Sequence, residues 1–189
     1  MLNAAHEVFM AAGYHASIDH IAERAGVARQ TVYNHFACKD DLFHEVIQQA
    51  TDRILVPLDE NDGDLRTRLV QFGTALRARV LGPGGVAIWR TLVAETPRFP
   101  QLARTFFEKG PARTLANLSR FIERAMADGR LRRDNPLFAA EMLLSLLEGH
   151  DRTRILLGVV EFEADQEGER VTRIIDAFLR SYATDRATF

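Results

Sequence analysis

The chain has 189 residues, 47% of them hydrophobic and 26% charged, and a formal net charge of −2. That balance excludes a disordered or collagen-like chain and leaves room for one or two domains with a real core. No apolar run approaches the roughly 18 residues that a spanning helix needs, so no membrane partner is expected.

The single cysteine, Cys38, can close no internal disulfide, and a reducing cytoplasm is the expected home. The N-terminal MLNAAHEVFMAAGY lacks a basic region followed by a purely apolar one, so no signal peptide is expected.

The pattern is helical throughout, with no strand alternation, and predicts an all-α chain of about nine helices. Leu2, Ala5, Val8 and Phe9 share one face of a helix that Gly13 stops. Ser17 can cap the next helix, whose inner face is Ile18, Ile21, Ala22 and Ala25. Gly26 supplies a turn with positive φ, and Val27 plugs the gap behind it. A short helix over Ala28–Phe36 follows, with Val32 and Phe36 inward. A fourth helix runs from Lys39 to Val56, and Pro57 is expected to end it.

The polar stretch Asp59–Asp64 reads as a loop between a head and a larger body. In the body, Leu65, Leu69, Phe72, Leu76 and Val80 mark a helix that Gly82-Pro83-Gly84-Gly85 breaks. Val86–Glu95 and Gln101–Lys109 follow, and Gly110-Pro111 interrupts the chain. Pro111 is expected to open a helix to Asp128 with Gly129 as its cap, and Asn135-Pro136 to open another. Leu137–Leu147 is apolar nearly all round, so both its sides should be covered. Gly168–Tyr182 carries a broad apolar stripe. No repeat or low-complexity segment appears.

The segment AGVARQTVYNHF, Ala25–Phe36, carries the functional signal. It reads as helix, tight turn, helix, with Arg, Gln, Thr, Tyr, Asn and His outward, a face suited to the major groove of double-stranded DNA. Arg29 is placed for a phosphate or a guanine. Gln30 and Asn34, four apart, share a face, and each can read adenine through a paired donor and acceptor. His35 and Lys39 are placed for backbone phosphates.

Charge argues the other way. Between residues 1 and 56 the cations are Arg24, Arg29, Lys39 and Arg53, against Glu7, Asp19, Glu23, Asp40, Asp41, Glu45 and Asp52. A DNA-binding head usually carries a basic patch that displaces phosphate counterions.

His6, His15, His20, His35 and His44 lie in this region, but their spacing is that of no known zinc set, so no metal or cofactor is expected. Cys38 beside Lys39 has no resolving partner, so a small residue at a helix start is the simpler reading. No G-x-S-x-G, G-x-x-x-x-G-K, H-E-x-x-H or Cys-His pattern is present, so no enzyme is expected.

Together, Ala4-Ala5, Val8-Phe9, Gly13-Tyr14, Ser17-Ile18, Ile21-Ala22, Ala25-Gly26-Val27, Thr31-Val32-Tyr33, His35-Phe36, Lys39 and Leu42-Phe43 resemble the TetR family of bacterial transcriptional regulators. Ala94-Glu95, Pro97–Leu102, Gly110-Pro111-Ala112 and Gly129–Arg132 resemble its AefR-type C-terminal domain. The resemblance implies an all-helical homodimer, with heads on a palindromic operator and a body that binds an unknown small-molecule inducer and dimerises. It implies a DNA-binding domain over residues 1–45, a linking helix at 39–56, and a ligand-binding and dimerisation domain over 57–189.

By the same resemblance Ser17, Thr31 and Tyr33 join Arg29, Gln30, Asn34, His35 and Lys39 as DNA contacts. Phe72, Trp89, Phe106 and Met142 become candidates for the inducer pocket, beside ordinary core. Leu143, Leu147, Ile174, Ile175, Phe178, Leu179 and Tyr182 become the expected dimer seam. Glu141, Glu148 and His150 are open between ligand and seam.

The sequence departs from the family pattern. It begins close before Ala4, where the family has a further turn and often a basic arm, so the first helix is expected to fray. The Gly13–Ser17 turn is one residue short. Ala28 stands where Ser or Thr caps the recognition helix, and Cys38 where Ser caps the fourth, each a loss of roughly 0.5–2 kcal/mol. Asp40 and Asp41 recover part of the second through the helix dipole. The expected function is a one-component regulator, a repressor released by an inducer. The competing reading is a dimeric small-molecule or partner-protein sensor with weak or lost DNA binding.

Overall fold

The computed structural model describes residues 1–59 and 64–184. Among the described residues ten α-helices follow in order: α1 Leu2–Ala12, α2 Ile18–Ala25, α3 Arg29–His35, α4 Lys39–Asp59, α5 Leu65–Leu81, α6 Pro83–Glu95, α7 Pro100–Phe107, α8 Arg113–Ala127, α9 Pro136–Leu156 and α10 Ala164–Ser181. No strand occurs among the described residues, and the fold class is all-α.

The chain forms two compact units, Met1–Asp52 with Gly82–Pro111, and Arg53–Leu81 with Ala112–Phe189. The first therefore holds α6 and α7 as well as α1–α3 and α4 up to Asp52. Its core is built on Val8, Phe9, Ile21, Val32, Leu42 and Phe43, closed by Ile88, Leu92 and Leu102 from α6 and α7. Phe9 meets Phe43 edge-on at 5.2 Å between ring centres.

Gly13, at φ 64°, ends α1 with its backbone against α6. A Cβ there would stand 2.6 Å from Thr91 Oγ1, so only glycine fits. His15 Nε2 also lies 3.2 Å from Glu95 Oε1.

The second unit packs α5, α8, α9 and α10 around Leu69, Phe72, Leu118, Leu143, Leu147 and Phe178. At its centre Arg77 is 2% exposed. Its guanidinium meets Glu167 through Nε and Nη2, Asp151 through Nη2 at 3.1 Å, and the Leu147 carbonyl through Nη1. The carbonyl belongs to a break in α9, where Gly149 is non-helical at φ 52°. A break strips the preceding carbonyls of their helical donors, and Arg77 replaces one of them.

Three boundary expectations and one of burial are corrected. Pro57 does not end α4, which runs to Asp59. The ring costs one backbone bond, and the terminal carbonyls that lack a helical donor find another: Arg68 reaches Pro57 O at 2.9 Å and Leu58 O at 2.8 Å. The break after α5 is one residue, because Pro83 takes the first position of α6 and Gly84 and Gly85 stay helical. Gly110-Pro111 does not interrupt the chain. The helix widens to a π turn over Glu108–Ala112, with Gly110 buried against Ile47 and Thr51. The fourth is α9, which is not covered on both sides within its own chain: Leu137, Phe138 and Leu146 are 46%, 57% and 42% exposed. The loop expected at Asp59–Asp64 falls largely on residues outside those described.

Arg77→Met should leave Glu167 buried without its cation, while Asp151 keeps Arg170, and cost about 3 kcal/mol. Urea unfolding at fixed protein concentration checks this. An unchanged midpoint would show that the network contributes nothing.

Candidate nucleic-acid interface

A short scaffold holds α3. The Ser17 hydroxyl oxygen accepts from His20 N at 3.1 Å and caps α2. Gly26 ends α2 in the left-handed region, at φ 66° and ψ 32°, and the Val27 N–H returns to Ala22 O at 3.0 Å. Ala28 is extended and offers α3 no side-chain cap. Val32 is the one residue of α3 in the core, at 1% exposure, while Thr31 is half-buried. Arg29, Gln30, Tyr33, Asn34 and His35 are all exposed.

The exposed groups are pre-arranged. Gln30 Nε2 donates to Asn34 Oδ1 at 3.2 Å, so the two amides form one edge. Arg29 Nη1 lies 3.3 Å from Asp19 Oδ2 on α2, and its guanidinium stands 5.5 Å from the centre of the Tyr33 ring. Lys39 Nζ sits 4.3 Å over the Tyr14 ring, and the Tyr14 hydroxyl donates to Asp40. Burial pushes the Lys39 ammonium below its ordinary value, with Asp40 opposing. Burial and the Asp40 hydrogen bond push the Tyr14 phenol up.

Ser17, Arg29, Gln30, Thr31, Tyr33, Asn34, His35 and Lys39 thus all belong to the first unit. Sequence reasoning missed Asp19 and Tyr14. A turn that sets the start of α3 beside the start of α2 was the available signal for Asp19. Nothing local signalled Tyr14, twenty-six residues from Asp40.

Residues 1–46 match the family described as bacterial regulatory proteins, tetR family. Residues 67–184 match the AefR-like transcriptional repressor, C-terminal domain. The chain belongs to the TetR family of transcriptional regulators. The family is regulatory rather than enzymatic.

Among similar proteins, the HTH-type transcriptional activator FasR of Mycolicibacterium smegmatis is 45% identical over 56 residues, 29% of this chain and 26% of that protein. The regulator UidR of Escherichia coli is 26% identical over 157 residues, 79% of this chain and 76% of that one. A TetR-family regulator structure from Mesorhizobium loti has a TM-score of 0.77 at 27% identity, covering 97% of this chain and 95% of that one. The flavonoid-responsive regulator FrrA has a TM-score of 0.70 at 31% identity, covering 98% and 96%.

In this TetR-family chain the body residues fall differently from expectation. Leu143, Leu147, Ile175 and Phe178 are fully buried and Tyr182 is 2% exposed, all in the core of their own unit. They have no surface left for a second copy. Ile174 and Leu179 are half-buried. The four pocket candidates do not share a unit. Phe72 and Met142 pack in the second, whereas Trp89 and Phe106 lie in the first with ring centres 6.2 Å apart. A cavity of about 410 Å³ in the second unit is lined instead by Arg66, Arg130, Leu131, Asp176, Leu179 and Arg180, among others.

Glu148 pairs with Arg152, while Glu141 and His150 are exposed. Among the described residues no group of three His, Cys, Asp or Glu could hold a metal ion, and no helix is long and apolar enough to cross a membrane.

Ala28→Ser should give α3 its missing cap and raise stability by about 0.5–1 kcal/mol, read by thermal or urea unfolding. No gain would mean that α3 is held by its neighbours alone.

His44 Nε2 is buried with no hydrogen-bond partner. Burial pushes the imidazole below its ordinary value, opposed by Asp40, Asp41 and Glu45 and assisted by Lys109. The folded value then lies below the unfolded one, so this stability is complete above about pH 6.5 and is lost as pH falls towards the folded value. The melting temperature should drop less between about pH 7.5 and 5.5 in His44→Gln than in the wild type. Equal drops would remove His44 from the account.

Proposed function

We propose that this chain is a homodimeric, cytoplasmic repressor that leaves a palindromic operator when its body binds a small-molecule inducer. The observation that carries the reading is α3, which spends one residue on the core and turns five polar side chains to solvent. We assign DNA reading to residues 1–45, with α4 as the link, and inducer binding and dimerisation to residues 57–189. Gln30 and Asn34 are the sequence-reading pair. Thr31, Tyr33, His35 and Lys39 are phosphate or sugar contacts, and Ser17 shapes the edge as the α2 cap.

The dimer seam is assigned to the outward side of α9, where Phe138 and Leu146 are exposed eight residues apart with Met142 between them, and to Ile174 on α10. Paired heads would meet major grooves roughly 34–36 Å apart. An inducer shifts operator affinity only by its preference between two states, typically about 1–3 kcal/mol.

Selection of bound duplexes from a random library tests the reading. A palindrome should emerge, and ligand panels for its release should begin with flavonoids, since FrrA is by its name flavonoid-responsive. Sequence-indifferent binding at every salt concentration would overturn it. Lys39→Ala should weaken all sequences alike and flatten the salt slope by about one unit per head. An unchanged slope would remove Lys39 from the backbone contacts. Leu146→Glu should yield monomers in analytical ultracentrifugation, and an intact dimer would move the seam elsewhere.

A further inference from the structure

We infer that Asp19 is the positioning residue for Arg29, and that together they commit each head to a G·C pair at one fixed place in its half-site. The inference rests on the DNA-reading role of α3.

Arg29 is the only Lys or Arg of α3, and it is braced from two directions. Asp19, in the first turn of α2, holds Nη1 at 3.3 Å. The Tyr33 ring, one turn along α3, faces the guanidinium at 5.5 Å. The brace therefore joins the start of α2 to the reading face of α3. The Arg29 and Asp19 side chains are 60% and 65% exposed, and an exposed pair contributes little to stability. Its consequence is geometric.

An unbraced arginine samples many rotamers, and its net charge draws it to the nearest phosphate. The brace weakens both tendencies. Part of the rotamer freedom is given up before DNA arrives, so a two-bond contact loses less on forming. The Asp19 carboxylate offsets the charge, so the pair gains little from a phosphate. A guanidinium has five donors, and the carboxylate at Nη1 leaves donors to spare. Two of them match guanine O6 and N7, while the carboxylate suits the cytosine N4 amino group. Against an A·T pair the pattern clashes, because guanidinium donors would face the adenine N6 donors and the carboxylate would face thymine O4.

The test uses the full chain as wild type, Arg29→Ala and Asp19→Ala. Fluorescence anisotropy gives Kd for the selected operator, for its symmetric single-pair substitutions and for a random duplex, across salt. In the wild type, replacing G·C at one position per half-site should weaken binding about ten-fold or more. Arg29→Ala should abolish that preference. Asp19→Ala should abolish it too, yet bind the random duplex several-fold tighter with a salt slope steeper by about one unit per head, as Arg29 turns to phosphate. If Asp19→Ala weakens every sequence in proportion, or keeps the G·C preference, the inference is overturned while the DNA-reading role stands. A wild-type chain that selects no sequence overturns that role and the inference with it.

Discussion

A seven-residue helix cannot hold itself together in water. Isolated helices need about 12–15 residues to persist, and α3 has no side-chain cap. Its geometry depends on one buried contact, Val32 in the first unit's core, and on the turn at Gly26 that sets its angle to α2. Ser17 steadies α2, Phe9 against Phe43 steadies the core beneath, and Gly13 lets α1 end flush on α6. Because so little of α3 is used for holding, nearly all its polar edge is available for reading.

The electrostatics follow from the same economy. The first unit is not basic, and the three cations of its first 52 residues already face a partner before DNA arrives. Arg29 faces Asp19, Arg24 faces Glu7, and Lys39 lies on Tyr14. Such a head gains little from indiscriminate attraction to a polyanion. It favours contacts whose geometry is already set, the Gln30–Asn34 edge and the braced Arg29.

Short-range chemistry was legible in the sequence. The caps at Ser17 and Asn135 and the turns at Gly13, Gly26 and Gly129 each depend on a few neighbouring residues, and each is where the pattern put it. The outward residues of α3 were legible for the same reason. What depends on distant partners was not. Pro57 reads as a stop until Arg68 supplies donors to the carbonyls around it, and Gly110-Pro111 reads as a break with Pro111 opening a new helix until the helix widens to a π turn that holds both. An apolar stripe looks the same whether its own unit or a second copy covers it, so Leu143, Leu147 and Phe178 were assigned to a seam when they are core. Arg77 and Glu167, ninety residues apart, left no local trace.

The central claim is that this head selects its operator through pre-set polar geometry with few phosphate contacts. The dependence of operator affinity on salt tests it most directly. One cationic phosphate contact per head, Lys39, predicts a slope of log K against log salt near about −2 for a dimer, with random duplex bound far more weakly. A slope of about −8 or steeper, with operator and random duplex bound alike, would contradict it.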